Sequence, residues 1–244
     1  MKRTFADLHL CVEIGDSRQV TRMINKASAL GYGLVAVPFP PRATEEQSQH
    51  VKKVCKEARI DLVSRVDLRP RTPEDLLRDL RRLRRRFEII AVLCESKSVA
   101  RQAAKDRRVD LLSFPNFDFR RRFFDMAEAE LASNCLAGFE IDVKPLLTLE
   151  RVPRIKLLSS LRREAAIAMG FHVPIVVSSG ISDELLMRKP MELAALASLF
   201  DLNSFSAVDA VSRNPAAVVK RNREKLDARF VAPGIRVVRR GRDC

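Results

Sequence analysis

Residues 61–93 read DLVSRVDLRPRTPEDLLRDLRRLRRRFEIIAVL, and the hydrophobic period changes twice along them. Asp61–Val66 is a short β-branched run and predicts a strand. Thr72 then offers a hydroxyl cap with Pro73 in the first turn. Leu76, Leu80, Leu83 and Phe87 recur at i, i+4, i+7 and i+11, which is one face of a helix. Glu88–Leu93 returns to an apolar run of strand length. Strand, amphipathic helix and strand in so short a stretch make a β-α-β unit, whose strands lie parallel in a sheet covered by helices.

The same alternation extends in both directions. Further strands are predicted at Thr4–Leu10, Gly33–Val37, Val109–Leu112, Gly138–Val143 and Val173–Ser178, giving seven in all. Asp16 or Ser17 caps a helix carrying Val20, Met23, Ile24, Ala27 and Leu30 on one face before Gly31 ends it. Thr44 and Gln47 have the spacing of a capping box. A helix from about Glu150 to Met169 is expected to turn Ile155, Leu158, Leu161 and Ala165 inward, and another spans Pro190 to Phe200. Asn214-Pro215 reads as a cap with proline at the first helical position. No eighth buried strand follows Ser178, since Ile235–Val238 is flanked by arginines. The expectation is therefore a TIM-barrel-like parallel β/α barrel, irregular and seven-stranded, as one domain over 1–244, with 227–244 a basic C-terminal extension.

The bulk composition narrows the function. The chain has 45 Lys+Arg against 31 Asp+Glu, a formal net charge of +14 in 244 residues. That excess points to a polyanionic partner, nucleic acid first. Five scattered cysteines without a C-x-x-C pair argue against a disulfide framework and a zinc site. No apolar run is long enough for a membrane span, and the start does not read as a signal peptide. A cytoplasmic protein without a membrane partner is expected. Phosphate-loop, dinucleotide and serine-hydrolase signatures are all missing.

In a barrel of this kind the working groups sit at the carboxyl ends of the strands. A polar cluster is expected there from Asp7, His9, Asp67, Asp142, Ser178 and Ser179. Asp7 and His9, two apart on a strand, face the same way and make either half of a metal site or a mutually satisfied polar pair. Ser178-Ser179-Gly180 is either a phosphate-cradling turn or a plain strand-to-helix turn. Only three histidines are present, too few for a multinuclear hydrolytic centre, so neither a catalytic nor a metal-binding residue is assigned. Arg65, Arg120, Arg121, Lys144, Arg151, Arg154, Arg188, Lys220, Arg221 and Arg223 are the candidates for RNA binding. The arginine-rich arc Arg78 to Arg86 is either a solvated helix face or a phosphate-binding one.

The opening Thr4-Phe5-Ala6-Asp7-Leu8-His9-Leu10, the stretch Phe139-Glu140-Ile141-Asp142, the turn Val176-Val177-Ser178-Ser179-Gly180 and the ending Arg213-Asn214-Pro215 to Arg221-Asn222-Arg223 together resemble one family. It is the third protein component of archaeal ribonuclease P, counterpart of the thirty-kilodalton eukaryotic subunit, and the likeness spans about Lys2 to Leu226. The resemblance implies a barrel of the polymerase-and-histidinol-phosphatase superfamily that assists a catalytic RNA in removing the 5′ leader of precursor tRNA. It implies as partners the ribonuclease P RNA, precursor tRNA, a small α/β protein subunit and other subunits of the complex. No cofactor is expected on the protein, and Mg²⁺ is expected with the RNA. Where the superfamily's metalloenzymes begin with His-x-His, this chain has Asp7-Leu8-His9, which weakens the alternative of a metal-dependent phosphoesterase using Asp7, His9, Glu95 and Asp142. A basic scaffold for acidic proteins is the third reading.

Overall fold

The computed structural model describes residues 3–41, 43–116, 122–232 and 235–238. Seven parallel strands follow one another in sequence order around a sheet: β1 (Ala6–Asp7), β2 (Leu34–Pro38), β3 (Asp61–Leu68), β4 (Ile89–Leu93), β5 (Leu111–Ser113), β6 (Gly138–Asp142) and β7 (Ile175–Ser178). The segments just beyond the first and last strands meet through a parallel bridge between Leu10 and Ile181, so the sheet is a nearly closed barrel. This is the seven-stranded, TIM-barrel-like fold that the alternation predicts.

The helices are α1 (Ser17–Leu30), α2 (Glu45–Glu57), α3 (Pro73–Leu83), α4 (Lys97–Ala104), α5 (Met126–Cys135), α6 (Lys144–Thr148), α7 (Arg151–Gly170), α8 (Pro190–Ala197), α9 (Ser204–Ala210) and α10 (Arg213–Leu226). Their starts follow local chemistry. Asp16 caps α1 by accepting from the N–H groups of Arg18 and Gln19, Thr44 and Gln47 form a reciprocal box at α2, and Thr72 caps α3 ahead of Pro73. Leu76, Leu80 and Leu83 of α3 are fully buried, each contributing roughly 1.5–3 kcal/mol by leaving water.

Three expectations are corrected. In α7, Ile155 is 65% exposed and Leu157, Leu161, Glu164, Ala165 and Ala168 form the inner face. Asn214 does not cap α10, which begins one residue earlier; its amide donates to the carbonyl of Ile175. The expected strand at Ile235–Val238 pairs only as Ile235–Arg236 (β9) with Phe230–Ala232 (β8), an antiparallel hairpin outside the barrel sheet.

Side-chain alternation sorts the strands into two cores. Val35, Val37, Ile90, Val92, Leu112, Phe139, Ile141 and Val177 pack outward against the helices. Ala6, Leu8, Leu34, Ala36, Val63, Ile89, Ala91, Leu111 and Val176 fill the interior together with Val219 of α10. α10 therefore lies across the amino ends of the strands as a plug. Above the apolar interior, toward the carboxyl ends, the inward positions turn polar: Arg65, Glu140 and Ser178, all buried. Among the described residues no helix is long and apolar enough to cross a membrane.

Candidate functional site

A cavity of about 840 Å³ opens at the carboxyl ends of the strands, lined by His9, Arg65, Asp67, Arg69, Glu95, Asp142 and Gly180 among others. Its floor is one connected polar network. The Arg65 guanidinium, on β3, donates two parallel bonds to Glu140 on β6 (2.6 and 2.7 Å), one to Asp67 (2.7 Å) and one to the Leu8 carbonyl (2.6 Å). Ser178 donates to the same Glu140 carboxylate at 2.8 Å. Bidentate arginine–carboxylate geometry is the strongest pairing two such groups can make.

The His9 ring bridges two acids: Nδ1 lies 2.9 Å from Asp142 and Nε2 lies 3.2 Å from Asp67. Burial and the nearby Arg65 cation both oppose a charge on the ring. Asp142 and Asp67, one on each nitrogen, outweigh them and raise its pKa well above the ordinary 6.5. His9 is then an imidazolium that donates from both nitrogens. Asp67 is held well below the usual carboxylate range: desolvation opposes this, and the Arg65 and His9 cations overcome it.

His9, Glu140 and Asp142 bring potential ligand atoms within 4.8 Å of one another. The donor set as it stands does not fit a metal ion, because a ligating imidazole must offer a lone pair and the His9 nitrogens both face carboxylates. Both Glu140 oxygens are taken by Arg65. A pair of protein cations, His9 and Arg65, occupies the place among the acids that a divalent ion would need.

Asp7 does not share the mouth with His9, contrary to the spacing argument. β1 ends at Asp7, and its carboxylate accepts from the backbone N–H groups of His9 (3.1 Å) and Ser179 (2.9 Å), tying the top of β1 to β7. The Ser178-Ser179-Gly180 turn is likewise inward-directed. The Ser179 hydroxyl donates to the His9 carbonyl and accepts from the Ile181 N–H, and the Gly180 N–H donates to His9. No donor of that turn is left for a phosphate. Gly180 has φ +63°, and a Cβ there would lie 2.8 Å from the Asp142 carboxyl carbon, so only glycine fits beside the network.

The expected RNA-binding residues divide into groups. Arg65 is corrected: it is 1% exposed and braces the barrel interior. Arg188 is half-buried and donates to the carbonyls of Leu185 and Met187. Arg223 pairs with Asp61 and Glu88 at the amino ends of the strands, and Arg221 donates to the Leu136 carbonyl beside Asp110. Lys144 sits at the mouth rim, bonded to the Ser182 hydroxyl at 3.0 Å. Arg151, Arg154 and Lys220 are exposed. Arg120 and Arg121 lie outside the described residues. The residue that sequence reasoning did not assign to the site is Glu140, whose signal is an acid in an otherwise apolar strand.

Comparison with known proteins points one way. The family model described as RNase P subunit p30 matches residues 4–227. The chain is 29% identical to ribonuclease P protein component 3 of Methanosarcina barkeri over 80% of each chain, and 30% identical to that of Methanosarcina mazei over 71% of each. It is 23% identical to the Methanothermobacter thermautotrophicus component 3 over 96% of this chain and 95% of that one. Among solved structures, a chain from a cryo-EM structure of archaeal ribonuclease P with mature tRNA superposes with a TM-score of 0.83 at 19% identity, covering 96% of this chain and 98% of that one. A putative prolidase from Bifidobacterium longum shares the fold more distantly, with a TM-score of 0.54 at 9% identity and 90% and 70% of the two chains covered.

Proposed function

The chain belongs to the RNase P subunit p30 family, and on that premise we propose that it assists a catalytic RNA in the removal of the 5′ leader from precursor tRNA. It is a protein subunit of ribonuclease P, the tRNA 5′-processing endoribonuclease. The observation that carries the reading is the family match along nearly the whole chain. Two features agree with a supporting role. The net charge of +14 suits a polyanionic partner, and at the floor of the barrel mouth His9, Glu140 and Asp142 are engaged in pairs with protein groups. The Mg²⁺ of the reaction belongs with the RNA in this account, and the protein holds no cofactor of its own. The partners are the ribonuclease P RNA, precursor tRNA, a small α/β subunit and further subunits of the complex, in the cytoplasm. Arg151, Arg154 and Lys220, which are exposed, remain available as phosphate contacts.

The purified chain should bind the ribonuclease P RNA with an affinity that falls steeply as salt rises. It should leave precursor tRNA uncut in Mg²⁺ or Mn²⁺ without the RNA. Cleavage by the protein alone that disappears in His9→Gln would establish the phosphoesterase reading instead.

A further inference from the structure

The barrel has a second polar end. Where α10 crosses the amino ends of the strands, Arg84 (before β4) and Arg221 (on α10) meet at one buried acid, Asp110, and Lys225, four residues beyond Arg221 on α10, lies within electrostatic reach of all three and of Arg107 (before β5). Arg84 is fixed by the carbonyls of Phe87, Glu88 and Arg108 and by Asp110. Arg221 leans on the Leu136 carbonyl and on Asp110 at 3.5 Å, and its Nε is buried with no partner among the described residues. Lys225 and Arg107 are exposed, and neither has an ion-pair partner among the described residues. Burial and the neighbouring Arg221, Arg84 and Arg107 cations pull the Lys225 pKa below its ordinary value, against Asp110.

Among the described residues, this group of four cations has Asp110 as its one paired acid, which leaves a local excess of positive charge. At the floor of the mouth, by contrast, His9 and Arg65 are each paired with acids. Like charges held together destabilise the free protein, and an anion that arrives relieves the repulsion. Arg84 and Arg221 are anchored on backbone carbonyls, so their positive charge is fixed in place beside Lys225 and Arg107 before an anion arrives.

We propose that this amino-end face, formed by Arg84, Arg107, Arg221 and Lys225, is a binding site for RNA backbone phosphates, with Lys225 and Arg107 as the contacting groups and Arg84 and Arg221 as their electrostatic support. The inference rests on the ribonuclease P reading and assigns the RNA to the face opposite the barrel mouth. RNA is favoured over an acidic protein because of the family membership.

The test is RNA binding by the full chain against salt, with a ribonuclease P RNA transcript as probe. Arg107→Gln/Lys225→Gln is compared with Arg151→Gln/Arg154→Gln on α7, whose amino end lies on the mouth side. Both pairs are exposed, and circular dichroism checks that each variant stays folded. The slope of log affinity against log salt should fall by about 1.5 in the first variant, two contacts at roughly 0.7–0.9 each, and by less in the second. An unchanged slope in Arg107→Gln/Lys225→Gln, with the loss in the α7 variant instead, would overturn the assignment and leave the subunit reading standing. Wild-type binding that is absent or insensitive to salt would overturn both. Polyglutamate bound more tightly than RNA, and lost in the same variant, would give the face to an acidic protein.

Discussion

Replacing Arg65 with methionine separates a buried brace from an RNA contact. Arg65 is 1% exposed and its partner carboxylate on Glu140 is fully buried. Among the described residues, the change leaves Glu140 with only the Ser178 hydroxyl and removes the guanidinium from Asp67 and the Leu8 carbonyl. Removing one member of a buried ion pair costs about 3–5 kcal/mol, because the other charge stays buried without compensation. For a domain of this size each kcal/mol is worth roughly 2–4 °C, so Arg65→Met should melt about 10–15 °C below wild type by circular dichroism. Removing both charges in Arg65→Met/Glu140→Met should recover about 2 kcal/mol or more of that loss, since apolar replacement of a whole buried pair is often neutral. Below the melting range, the single variant should bind RNA with an unchanged salt slope. A loss under about 1 kcal/mol, or a double variant no better than the single, would refute the buried-pair argument. A slope lower by roughly 0.7–0.9 would return Arg65 to the RNA surface.

Two further outcomes follow from the titrating groups. Glu128 on α5 is fully buried, and among the described residues neither carboxyl oxygen is hydrogen-bonded, Arg101 lying 3.7 Å away. Burial raises its pKa to about 8, Arg101 and Lys97 oppose the shift, and Asp125 adds to it. A raised carboxyl pKa favours folding in the protonated form, so its contribution is full below the ordinary 4.5 and is lost as pH rises through about 8. Urea unfolding in mildly acidic and alkaline buffer should therefore show Glu128→Gln gaining on wild type by a few kcal/mol at the alkaline end, an order of magnitude set by about 1.4 kcal/mol per pKa unit; parallel pH profiles would contradict it. His9 contributes stability that is full below 6.5 and is lost only as pH rises through its raised pKa. Nitrogen NMR of the ring should find both nitrogens protonated at neutral pH, and a neutral tautomer there would reopen the mouth to metal binding.

The barrel is legible because most strands are short apolar runs set between helices whose starts and stops have local signals, as around Thr72 and Gly31. α4 and α5 escape a periodicity reading because their buried faces are mostly alanine, Ala100, Ala103 and Ala104 in one and Ala129 and Ala132 in the other. α7 is misread at Ile155 because its inner face includes a charged residue, Glu164, neutralised by Arg122 from outside the helix. The same blindness to distant pairing hides Glu140 and misplaces Arg65: each is a charge in an apolar strand, and only the closed sheet brings β3 and β6 face to face. Arg221 and Arg223 read as free surface charge because their acceptors, Leu136, Asp110, Asp61 and Glu88, are 85 to 162 residues away. The basic face at the amino ends is assembled from two turns and a helix, which no contiguous motif marks.

Reconstitution tests the central claim most directly. Ribonuclease P RNA with its other protein subunits is assayed for 5′ cleavage of precursor tRNA in Mg²⁺, with and without this chain. Cleavage that rises on adding the chain, and rises equally with His9→Gln if that variant folds, is the predicted result. Cleavage unaffected by the chain would contradict the account.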